Sequence, residues 1–105
     1  MLFRSTDTTI VHQLENDYPS YAANFANWAE QGLGGAQQAV WTALAEQGIG
    51  ASLQHYNPLI DDAIHQAFNL PADWQLRAEM PFGSIEAPAG EKTHLDDEEM
   101  FKLIK

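Results

Sequence analysis

Four histidines, His12, His55, His65 and His94, are the first side chains to weigh for chemistry. Asp62 and His65 have the spacing that puts two ligands on one helix face, but a zinc site needs three or four ligands. No second cluster completes one, so the pair reads as a solvated helix face and no metal centre is predicted. Ser52 lies in Gly50-Ala-Ser-Leu-Gln54, which is not the Gly-x-Ser-x-Gly elbow of a serine hydrolase. Gly48-Ile49-Gly50 is followed by Leu53 where a dinucleotide-binding loop has its third glycine. The chain has no cysteine, which excludes disulfides, thiolate metal ligands and thiol catalysis.

Two features remain. Gly48, Gly50, Ala51 and Ser52, with Ile49 among them, form a run of small residues after a strongly apolar segment. Small residues let a flat or bulky group reach the backbone, either another chain or a planar ligand. Taken alone, the same run is also an ordinary helix end. Lys92 is one of only five bases and lies in a Pro/Gly loop, where it is either solvated or bound to an anionic group.

The rest of the chain bounds what these residues can serve. A length of 105 residues fits a single domain spanning 1–105. Fifteen acids against five bases give a net charge of −10, which argues against nucleic acid and against an anionic membrane surface as partner. No apolar run is long enough to span a bilayer, and Met1-Leu2-Phe3-Arg4 is too short for a signal peptide, so a cytoplasmic location is expected.

The elements follow from periodicity and punctuation. Met1 to Arg4 is a short strand candidate. Asp7 caps a helix from Thr8 to about Asn16, broken by Tyr18-Pro19-Ser20. A second helix runs from about Tyr21 to Gln31 on the stripe Tyr21, Phe25, Trp28. Gly32, Gly34 and Gly35 predict a loose junction before a third helix, Ala36 to Gln47, whose apolar residues cover most of its circumference and predict burial nearly all round. Gly48 ends it. Ala51 to Tyr56 is a strand candidate. Asn57 and Pro58 start a further helix carrying Leu59, Ile60, Ile64 and Phe68, and Asn69 and Pro71 stop it. Trp74 to Phe82 alternates apolar and polar residues as a half-buried strand does, with Pro81 marking an edge or an end. The acidic turn Asp96 to Glu99 leads to Phe101–Lys105, an extended terminal strand candidate suited to pairing with another chain.

The segment Ala39-Val-Trp-Thr-Ala-Leu-Ala-Glu-Gln-Gly-Ile-Gly-Ala-Ser-Leu-Gln-His-Tyr-Asn-Pro-Leu-Ile-Asp61 resembles the core of the FMN-dependent nitroreductase family, in particular the subgroup of the fatty-acid repression mutant proteins. Trp74-Gln-Leu-Arg-Ala-Glu-Met-Pro-Phe-Gly-Ser84 and Pro88-Ala-Gly-Glu-Lys92 resemble the same subgroup in the same order. The resemblance implies an α+β fold with helices packed on a small, mainly antiparallel sheet. It also implies a homodimer with FMN at its interface, and NAD(P)H-driven reduction of a small-molecule acceptor such as a nitroaromatic or a quinone. By position, Gly48, Ile49, Gly50, Ala51 and Ser52 would pass the isoalloxazine and ribityl chain, and Lys92 would reach the FMN phosphate. The hydride chemistry belongs to the flavin, so no catalytic side chain is nominated. Family members are considerably longer; the chain corresponds to about their C-terminal half and lacks the Arg-Ser segment that grips FMN. It is then a fragment of a longer product or a shortened paralogue. The alternative function is a non-enzymatic dimerisation or interaction module derived from that fold.

Overall fold

The structure is a computed structural model that describes all residues, 1–105. Its centre is strand β3 (Trp74–Met80), which pairs antiparallel with β1 (Leu2–Asp7). The register runs from Leu2 opposite Met80 to Asp7 opposite Trp74 and slips once: Arg4 faces Ala78 and Ser5 faces Leu76. Arg77 is left over as a bulge residue, which re-aims its side chain. A second short ladder joins β2 (Gly50–Ala51) to β4 (Phe82–Gly83). Backbone bonds from Ser52 N to Pro81 O (3.1 Å) and Gln54 N to Glu79 O (2.9 Å) tie the two ladders together. Glu79 pairs with Phe3 on one side and Gln54 on the other, so residues 50–54 lie along the edge opposite β1. All pairing is antiparallel. Pro81 has no N–H to donate, which splits the strand expected over Trp74–Phe82 into β3 and β4. Of the strand expected over Ala51–Tyr56, only Ala51 and the bridge at Gln54 pair.

Helix α1 (Thr8–Asp17) begins as expected: Asp7 Oδ1 accepts from Ile10 N at 3.1 Å. A 3-10 turn at Pro19–Tyr21 follows it. Helix α2 (Ala22–Glu46) is one continuous rod of 25 residues, so the junction expected at Gly32, Gly34 and Gly35 does not exist. Glycine costs about 1 kcal/mol against alanine in a helix but does not forbid it, and long-range contacts hold this stretch from both sides. Before the glycines, Glu30 receives Arg4 Nη2 (3.1 Å), Arg77 Nε (2.9 Å) and Thr6 Oγ1 (2.6 Å). After them, Gln37 Oε1 receives Arg4 Nη1 at 2.6 Å. The bulge that frees Arg77 therefore helps to seat α2 on the sheet.

The burial expected for residues Ala36–Gln47 is not found. No residue of α2 is buried, and Val40 is 42% exposed. Within this chain α2 packs chiefly against α1, β1, β2 and the 3-10 turn, which leaves much of its apolar circumference exposed. The buried apolar residues are Val11, Leu76, Ala78 and Met80.

Helix α3 (Asp61–Phe68) starts later than Asn57-Pro58 suggested. The Asn57–Pro58 peptide is cis, and residues 57–60 form a turn. Asn57 holds that turn rather than capping the helix: its Nδ2 donates to Asp61 Oδ1 (2.6 Å) and Leu76 O (3.2 Å). Asn69 ends α3 in the left-handed conformation, φ 49°, and Phe68 packs against Phe3 with centroids 5.0 Å apart. The acidic turn forms a single helical turn, α4 (Asp97–Met100). Phe101–Lys105 are exposed and form no strand, because no sheet edge of this chain receives them. No helix is long and apolar enough to cross a membrane.

The Glu30 cluster gives a pH prediction. Partial burial opposes ionisation of Glu30, but the Thr6 hydroxyl and the charges of Arg77 and Arg4 outweigh it and hold the carboxyl below its ordinary value of 4.5. A carboxyl depressed in the folded state stabilises fully above its unfolded value and loses that contribution as pH falls through the folded one. The urea midpoint of the chain should therefore drop on acidification below about pH 4.5 by more than that of Glu30→Gln. Parallel pH profiles for the two proteins would show the cluster to be inert.

Candidate flavin-facing edge

The small-residue run is built by the end of α2. Gly48 N donates to Ala45 O (3.0 Å) and Ile49 N to Leu44 O (3.0 Å), the paired bonds of a Schellman cap. That cap needs the left-handed φ of 71° at Gly48, where a side chain would be strained. The chain then enters β2. A Cβ on Gly50 would sit 3.0 Å from Ile85 Cγ1, so this position is small because the segment after β4 crosses it. Ile49, Gly50 and Ala51 are half-buried, while Gly48 and Ser52 are exposed.

Ser52 and Gln54 turn their N–H groups toward β3 and β4. Alternation in an antiparallel ladder then turns the N–H of Ala51, between Gly50 and Ser52, toward the free edge. The result is a strand edge with small side chains and an outward backbone donor, bounded by a left-handed glycine. Such an edge fits the polar rim of a planar heterocycle, so the residues present suit a flavin ring on backbone chemistry alone.

Lys92 lies on the exposed segment that continues from β4 and joins no ion pair. No hydrogen bond brings it to Gly48–Ser52. Its free ammonium fits an anionic group, and the rest of the chain supplies little other positive charge. His12 pairs with Glu15 at 3.1 Å, and no group of three or more His, Asp or Glu converges as a metal site.

Sequence reasoning missed the other feature of the surface. A groove of about 580 Å³ runs along β1, lined by Leu2, Phe3, Leu33, Val40, Leu53 and Met80. Glu79 also lines it and is 4% exposed, although alternation along β3 puts it on the wetter face. Its Oε1 accepts from Tyr56 N at 3.1 Å, while Oε2 is buried without a partner. Arg4 Nε, on the same groove, is also buried without a partner. The signal for Glu79 was non-local: the backbone of residues 54–56 folds over it.

A half-open α+β unit with one long helix, an antiparallel sheet and a backbone-lined edge is the class that fold and site define. The sequence model of the nitroreductase family matches residues 1–84, and the chain belongs to that family. It is 40% identical over 97 residues to HBN1 of Saccharomyces cerevisiae, covering 91% of this chain and 49% of that protein. To nitroreductase FRM2 of the same yeast it is 36% identical over 92 residues, covering 88% of this chain and 47% of that protein. Nitroreductase CinD from Lactococcus lactis, solved with 4-nitrophenol, superposes with a TM-score of 0.94 at 52% identity, over 98% of this chain and 55% of CinD. CinD has also been solved with nicotinic acid and with chloramphenicol. The chain thus spans about half the length of the relatives it matches, and it is a partial α+β nitroreductase-like fold.

Proposed function

We propose that the chain is the flavin-facing part of an FMN-dependent oxidoreductase that reduces nitroaromatic or quinone acceptors with NAD(P)H as a homodimer. The observation that carries this reading is the agreement with CinD, 52% identical at a TM-score of 0.94 and solved with a nitroaromatic compound, together with the small-residue edge after the Schellman cap. The residues that would hold FMN are Gly48, Ile49, Gly50, Ala51 and Ser52 along the ring and ribityl chain, and Lys92 at the phosphate. Bound FMN would supply the hydride transfer. The protein's own part is positional: the rigid helix end fixes the backbone edge, and the outward Ala51 N–H offers a donor to the ring rim. Lys92 offsets the repulsion that a chain of charge −10 exerts on a phosphate.

The test is titration of FMN fluorescence against two charge-equivalent variants. Lys92→Ala should weaken FMN binding by about tenfold, the size of one charge-assisted contact. Lys102→Ala, on the exposed terminal segment, should leave it unchanged. Equal losses would mean general electrostatics and would remove Lys92 from the site. The second reading, a non-enzymatic interaction module, draws support from the uncovered apolar face of α2; FMN that fails to bind even to a fully assembled protein would favour it.

A further inference from the structure

We propose that the flavin-facing edge runs on past Ser52 to His55, and that Glu79 is the positioning residue that sets its far end. The proposal rests on the flavin reading above and adds to it a residue outside Gly48–Ser52.

The length of the edge follows from the ladder. Gly50 pairs with Gly83 and Ala51 with Phe82. The same register carries Ser52 N to Pro81 O (3.1 Å), and Gln54 exchanges two bonds with Glu79, N to O at 2.9 Å and O from N at 3.1 Å. Residues 50, 52 and 54 therefore turn their polar backbone groups inward, and Ala51, Leu53 and His55 turn theirs outward. Successive outward groups are about 6.8 Å apart along such a strand.

A regular ladder would next join Tyr56 to Arg77, and it does not. Arg77 is the bulge residue of the β1–β3 pairing, and no main-chain bond connects it to Tyr56. His55 and Tyr56 are exposed, so packing does little to hold this end either. Side chains take over across the bulge. Glu79 Oε1 accepts from Tyr56 N at 3.1 Å, and Asn57 Nδ2 donates to Leu76 O at 3.2 Å. Tyr56 N is thereby held inward as the alternation requires, and the N–H of His55 stays on the outer edge with those of Leu53 and Ala51.

The residue type at position 79 supports this role. Glu79 is 4% exposed, and Tyr56 N is the only partner of its carboxyl group. Burying a carboxyl group costs free energy that an apolar side chain would not. Packing alone would be served by an apolar residue, as at Ala78 and Met80 on either side. The acceptor offered to Tyr56 accounts for the glutamate.

The test uses the full chain and compares Glu79→Gln, which keeps an acceptor of the same reach, with Glu79→Met, which fills the space without one. Without FMN, amide exchange over residues 53–56 should speed up about tenfold in Glu79→Met and return to within about twofold of the parent in Glu79→Gln. Titration of FMN fluorescence should show binding weakened about tenfold in Glu79→Met and restored in Glu79→Gln. At saturating FMN the visible absorption band should shift in Glu79→Met alone, because donors along the ring have moved. Val11→Ala, a truncation of the buried core, should lower the urea midpoint and leave that band in place. If Glu79→Met behaves as Val11→Ala does, Glu79 is merely structural and the proposal is overturned. Equal affinities and spectra for the parent and Glu79→Met would overturn it and leave the flavin reading standing. Glu79→Gln as weak as Glu79→Met would mean that charge matters and the acceptor does not, which also overturns it. A parent chain that binds no FMN would overturn the flavin reading and, with it, the role given to Glu79.

Discussion

Purified alone at micromolar concentration, the chain will sediment as a dimer or larger species. Its radius of gyration is 17.5 Å, whereas a compact domain of this length has about 13 Å. Only 6 of its 105 residues are buried, too few for a core that could offset chain entropy. The apolar surface left over is spread along the chain and includes Trp28 and Val40 on α2, Leu59 at 89% exposure and the terminal segment, where Leu103 is 82% exposed and Ile104 85%. Water drives such surface into contact with whatever apolar partner is at hand. Deleting Phe101–Lys105 should weaken association, because the deletion removes exposed apolar side chains whose one backbone bond within the chain, Phe101 N to Asp97 O at 2.8 Å, is local. A well-folded monomer with a radius near 13 Å would sink both expectations; unchanged association after the deletion would make the terminal segment a loose tail.

The second large effect is at Leu76, which is 2% exposed and one of four buried apolar residues. Leu76→Ala removes buried methyl groups and leaves a cavity beneath β1, for a loss of about 2–5 kcal/mol. Complete domains have only about 5–15 kcal/mol in total, so in this thin core the loss should abolish any cooperative urea transition. Leu59→Ala is the control: Leu59 is 89% exposed, and its replacement should change the midpoint by less than about 0.5 kcal/mol. Equal effects of the two substitutions would mean that the sheet described here does not form in solution.

What could be read from the sequence was what neighbouring residues decide. Asp7 as a cap, Asn69 and Gly48 as left-handed stops and the apolar alternation of Leu76, Ala78 and Met80 are local signals, and each is found in the structure. The continuity of α2 was hidden, because the contacts that carry it through three glycines come from Arg4 and Arg77, far away in the chain. The late start of α3 was hidden likewise: Asn57 bonds Leu76 O and Asp61 instead of a helix N-terminus. For the site, the turn at Gly48–Ser52 was visible because a Schellman cap needs only six successive residues. Lys92 was visible as an unusual charge, yet no ladder or hydrogen bond fixes its position. The exposure of α2 follows from what does not lie beside it, which no pattern within the helix can encode.

The β1–β3 ladder has a consequence for synthesis. Phe3 pairs with Glu79 and Leu2 with Met80, so β1 waits for a partner made much later in the chain. At about 5–20 residues per second, roughly 4–15 s separate the emergence of the two strands. Through that interval the edge of β1 that β3 will cover is open, and its apolar Leu2 and Phe3 are free to meet other nascent chains on the same messenger. Slow translation should then lower soluble yield, and a chaperone that binds short extended apolar segments should restore it.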